Sequence, residues 1–177
     1  MTFPRFALRD AAIIAGVVLV WTLASPLSAG DGPVADLSGG VCGVAFGVAA
    51  YLLHEWGHLL AGLASGSVVH PGPSLGSRFL FSFDSKRNDR RQFLIMSAGG
   101  FVVTGLAMWI VYGGLPGDLL ATRVARGAVS FLAFLAVFIE FPLVIWALVR
   151  RDLPPVDTFV PDGPEGVGAS TTTAGAL

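Results

Sequence analysis

Charge is what this chain has least of. Asp, Glu, Lys and Arg together make up 13% of its 177 residues, about half the share found in a soluble globular domain. So few charges cannot clothe a water-soluble surface of this size, and no nucleic-acid partner is expected. Cysteine is almost missing too. Cys42 stands alone, which excludes an intrachain disulfide and any Cys-based metal cluster, and its Gly/Val/Ala surroundings read as small-residue packing. Histidines number three. What fills the chain instead is apolar: 54% hydrophobic residues, a mean hydropathy of +0.73, and 23 glycines, a residue commoner in membrane helices than in soluble ones. The length allows one domain.

Four apolar stretches reach the roughly 20 residues that cross a bilayer, at about 11–28, 39–64, 93–112 and 124–149. The first follows Arg5 and Arg9 and ends in small residues, as a signal peptide does, but its long apolar run reads as a retained helix. Cations gather before the first stretch, in the loop 65–92 (Arg78, Lys86, Arg87, Arg90, Arg91) and after the fourth (Arg150, Arg151). The loop between the first two stretches has Asp31 and Asp36 and no cation. The positive-inside rule then predicts a multi-pass cell-membrane protein with both termini and the loop 65–92 in the cytoplasm; Arg123 and Arg126 dissent. The expected architecture is an all-α membrane domain over 1–151, followed by a Pro/Gly/Ser/Thr-rich tail, 152–177, expected to be disordered. Within the loop 65–92, His70-Pro-Gly-Pro73 signals a turn, and alternating Phe79, Phe81 and Phe83 signal a strand or hairpin element.

His54-Glu55-Trp56-Gly57-His58 lies inside the second stretch. Histidines four apart share one helix face, so both imidazoles can reach one metal ion, and the intervening glutamate is placed to act as a general base toward water. A chance match is the bland alternative. It is weakened because three ionisable residues in five positions of a spanning helix are costly unless they pair, bind metal or line a cavity. Gly39, Gly43 and Gly47 recur every four residues on the same side, as in closely packed membrane helices.

A catalytic zinc takes three protein ligands. Glu140 is the other acidic residue deep within a span, and it sits at a matching depth. His58 and Glu140 lie about 12 and 15 Å from the inner ends of their helices at 1.5 Å per residue. Pro142 predicts a local opening of that helix. The competing role for Glu140 is burial as a neutral acid or pairing with Arg126. Asp118, Asp152, Asp84 and His70 are weaker candidates, placed at membrane edges or in the loop.

These residues resemble the site-2 protease family of intramembrane zinc metalloproteases. The likeness rests on the motif at 54–58 within a membrane helix, on the loop with a strand that follows, and on Ser97-Ala98-Gly99-Gly100 at the opening of the next helix. It implies Zn2+ as cofactor, His54 and His58 as ligands and Glu55 as catalytic base. It also implies a membrane-anchored protein substrate cut within or near its spanning segment, held by the strand at Phe79, Phe81 and Phe83. The chain departs from the family in two places: Glu140-Phe-Pro142 stands where an Asp-containing motif is usual, and Thr104 stands near a substrate-holding asparagine. The alternatives are an inactive scaffold of the same fold that binds a partner helix, or a metal or proton conduit.

Overall fold

A computed structural model describes residues 2–77, 79–150 and 152–154. Arg78, Arg151 and the tail from 155 onward lie outside the described residues, so two of the loop and end cations and most of the expected disordered tail are not covered.

Among the described residues, four helical segments are long and apolar enough to cross a membrane: Phe3–Ala29, Pro33–Ala64, Arg90–Gly114 and Leu120–Val149. All four start earlier than the limits read from apolar content, while the second and fourth end at the residues read from the sequence. The first comprises α1 (Phe3–Ala24) and a short 3-10 turn at Ser25–Ala29, after which Gly32, at φ 96°, turns the chain into α2 (Pro33–Ala64). The third, α3 (Arg90–Trp109), starts at a capping box. The Asp89 side chain accepts from Gln92 N, and the Gln92 side chain accepts from Asp89 N, at 2.8 Å each. A π turn at Ile110–Gly114 ends it.

The fourth segment is broken. α4 (Leu120–Leu135) passes through a π turn at Ala136–Glu140 into α5 (Phe141–Val149). Pro142 explains this, because it has no N–H to donate to the Phe138 carbonyl, and Phe141 N bonds Ala136 O five residues back instead.

α2 is the central helix, packed on both α3 and α4. The glycine row is the α4 contact. A side chain at Gly39 would meet Leu120, one at Gly43 would meet Val124, and one at Gly47 would meet Ala128. The pairs advance together by four, so α2 and α4 run in parallel with a constant register. The apolar core follows this seam through Ala50, Ala125, Val129 and Leu132, while Leu19, Val44, Val102 and Phe131 face outward. Cys42 is buried between α1 and α2, its Sγ 3.7 Å from Val20 O.

The loop between α2 and α3 forms an antiparallel pair, β1 (Val69–Pro71) with β2 (Phe81–Phe83), in the register Val69–Phe83 and Pro71–Phe81. His70-Pro71, read from sequence as a turn, is therefore part of a strand. Pro71 is tolerated at the end of an edge strand, where no ladder donor is required. Phe79 precedes β2 rather than belonging to it. The pair packs down on the helices: Phe83 against Phe93, Met96 and Ala147, and Leu80 against Phe6 and Leu59. The expected four-helix fold with a small β element between helices 2 and 3 is what forms.

Candidate metal centre

His54 and His58 project from α2 toward α3, and α3 receives them through its backbone. His54 Nδ1 lies 3.1 Å from Gly100 O and 2.8 Å from Thr104 Oγ1; His58 Nδ1 lies 3.0 Å from Met96 O. A carbonyl only accepts, so each Nδ1 carries the proton and donates it. Two histidines four apart on one helix thus meet two carbonyls four apart on the other. The rings fit because α3 is bare at this level. A Cβ at Gly100 would run into the His58 ring, and Gly57 and Gly99 pack backbone to backbone, with Gly99 O 2.7 Å from a Cβ built on Gly57. The Ser97-Ala98-Gly99-Gly100 run is the floor of the site.

With Nδ1 protonated, each Nε2 presents a lone pair. The two Nε2 atoms are 3.1 Å apart. Glu140 Oε1 lies 3.0 Å from His54 Nε2, and Oε2 lies 3.3 Å from His58 Nε2. Oε2 is buried and has no hydrogen bond. Four electron-rich atoms therefore converge on one point, an arrangement that repels unless a proton or a metal ion sits among them. The donor set fits a metal. One atom from each residue lies within 4.8 Å of the others, and a tetrahedral zinc with bonds of about 2.0–2.1 Å spaces its ligand atoms by roughly 3.3 Å.

Glu140 reaches this point because of the broken helix. Continuing the α2–α4 register from Gly47 and Ala128 sets residue 139 beside His58. The π turn adds one residue and brings Glu140 to that level. The alternative partner, Arg126, is engaged elsewhere. Its Nε donates to Val111 O at 2.8 Å and its guanidinium lies over the Tyr112 ring, so it is held by the π turn that follows α3.

Glu55 faces the same space but is not one of the three converging residues. Its Oε2 accepts from Leu80 N at 3.5 Å. Glu55, His54, His58 and Glu140 all line a cavity of about 450 Å³ whose remaining wall is almost wholly apolar, including Tyr51, Leu132 and Ile139. Phe79, Phe81 and Phe83 all line it, whereas Thr104 stands behind His54 with its hydroxyl on the ring. Asp118 and Asp152 are not in the converging group. His70 and Asp84 pair with one another at 3.2 Å across the hairpin. Burial pushes the Asp84 carboxyl up, but the hydrogen bonds from His70 and from the Lys86 and Arg87 backbone outweigh it and hold the group below its ordinary value.

Sequence reasoning missed Asp10. It is 2% exposed, accepts from Trp56 Nε1 at 2.8 Å and from Arg9 Nε at 2.6 Å, and Arg9 also donates to Leu75 O. The amino end of α1 is thereby tied both to the motif helix and to the loop. An acid next to Arg9 in an otherwise apolar helix was the available signal. No protein-family profile, curated protein or solved structure matches the chain.

Proposed function

We propose that this chain is a zinc-dependent intramembrane endopeptidase, a divergent member of the site-2 protease family, that cuts membrane-anchored proteins within or near a spanning segment. The observation that carries this reading is the convergence of His54 Nε2, His58 Nε2 and the Glu140 carboxylate on one point beside Glu55, within an apolar cavity lined by the hairpin and by three of the four helical segments able to cross a membrane. A zinc ion held by these three residues supplies Lewis acidity and lowers the pKa of water near it. Around it, the Met96 and Gly100 carbonyls orient the imidazoles. Glu55, steadied by Leu80 N–H, takes a proton from water and returns it to the leaving amine. β2 has one strand partner among the described residues, which leaves an edge where an extended substrate can add as a strand, with Phe81 and Phe83 beside it. The positive-inside rule supports a cytoplasmic hairpin, with water reaching the site from that side.

The test is metal analysis of detergent-purified protein followed by cleavage of a membrane-anchored reporter. About one zinc per chain, lost in His58→Ala, with cleavage abolished in Glu55→Gln while zinc is retained, supports the reading. A chain that takes up no metal even with zinc added refutes it. One that binds zinc and cleaves nothing is a scaffold that kept the fold.

A further inference from the structure

A basic cluster stands apart from this site, where α3 begins and α5 ends. Lys86, Arg87, Arg90 and Arg91 are all exposed within six positions. Asp89, the acid among them, is committed to capping α3. Arg90 Nη2 donates to Leu148 O at 3.1 Å, which draws its guanidinium across to α5. Arg91 has no ion pair or hydrogen bond among the described residues. Directly below the two arginines, on one face of α3, Leu94, Ile95 and Ala98 line an open groove of about 480 Å³ that Arg90 and Arg91 close at the top. Residues 91, 94, 95 and 98 recur at the spacing of a single helix face.

We propose that this groove is a binding site for an anionic phospholipid, its phosphate on Arg90 and Arg91 and an acyl chain along Leu94, Ile95 and Ala98. The site demands both halves of that molecule. Guanidinium groups hold phosphate oxygens in pairs, and the strip beneath is apolar, with Ala98 exposed, Ile95 half-buried and Leu94 half-buried against the core of Phe93 and Met96. A free phosphate satisfies the first half only. A neutral phospholipid satisfies the second and meets the arginines with a zwitterion. Because the helix that carries the groove also orients His54 and His58 from its other side, the lipid would steady α3 at the level of Met96. The proposal itself does not depend on catalysis.

Native mass spectrometry of the full-length protein, released from micelles doped equally with phosphatidylglycerol and phosphatidylcholine, tests it. The expected result is retention of phosphatidylglycerol about thirtyfold over phosphatidylcholine, the size that two arginine contacts supply. Arg91→Gln should cut the preference about fivefold, the share of one arginine contact. Ile95→Trp, which fills the groove and leaves every charge in place, should abolish retention. Arg87→Gln makes the same charge change outside the groove and should alter neither. Equal retention of the two lipids overturns the proposal, and so does an Arg87→Gln effect as large as that of Arg91→Gln, which would mean a diffuse basic surface. Displacement of the lipid by millimolar glycerol phosphate would likewise overturn it, assigning the site to a soluble phosphate.

Discussion

The two halves of the metal centre are built differently. The histidine half is held from behind: both Nδ1 atoms are bonded to α3, His54 is 1% exposed, and the glycines of both helices let the backbones touch. The carboxylate half is held from one side alone. Glu140 is 29% exposed at its side chain, sits on a π turn, and has one oxygen with no hydrogen bond. The first half is preorganised by protein; the second leaves its place to be completed by a cation. A site divided this way can hold a metal ion without being rigid throughout, and it leaves the Glu140 side open to the cavity.

Removing the carboxylate should therefore do the most damage. Glu140→Gln is expected to weaken zinc binding by more than about 100-fold, above the range for losing an outer-shell partner, read by competition with a chromophoric chelator. Glu140→Asp, a methylene shorter, should recover part of it. If Gln and wild type bind alike, the histidines alone hold the ion and the division is wrong.

Next comes the floor. Gly100→Ala places a methyl group against the His58 ring, and about a 100-fold loss of affinity is expected, with the helical circular dichroism unchanged. Affinity equal to wild type would mean α3 shifts freely, contrary to a preorganised half. Thr104→Val removes one of two partners of His54 Nδ1 while Gly100 O remains; about a tenfold loss is expected. A loss as large as that for Glu140→Gln would erase the difference between the halves.

The smallest effect lies in the loop. The folded Asp84 carboxyl has a depressed pKa, so the unfolded chain binds more protons as pH falls. Its contribution is fully present above the unfolded value of about 3.9 and is lost as pH falls through the lower folded value. Amide exchange in the hairpin should rise over that window, and Asp84→Asn should exchange faster at neutral pH with the acid step removed. An unchanged acid step in Asp84→Asn would assign it to another group.

Much of this was legible without coordinates. The four spans follow from apolar runs of sufficient length, because lipid imposes both helix and length. The histidine pair follows from the helical repeat, a purely local property. Glu140 was found by depth, since parallel helices share a ruler. The alternation of Phe79, Phe81 and Phe83 pointed to a strand, but its partner lay in a segment whose prolines read as a turn. Strand pairing is a contact between segments, and local chemistry does not choose it.

What the sequence alone determined is the inventory and its spacing: a membrane-sized set of apolar helices, two imidazoles one turn apart, and one acid at the same depth. What the tertiary structure decided is where each group points. Only packing could show that α3 carbonyls fix the imidazole tautomers, that Gly99 and Gly100 exist to admit α2, and that a π turn advances Glu140 by the one residue it needs. The same holds for Asp10, which reaches across from α1 to Trp56. The physical reason is common to all four. Helical periodicity is set by a chain's own hydrogen bonds, whereas register between helices is set by side-chain volumes on two distant segments at once.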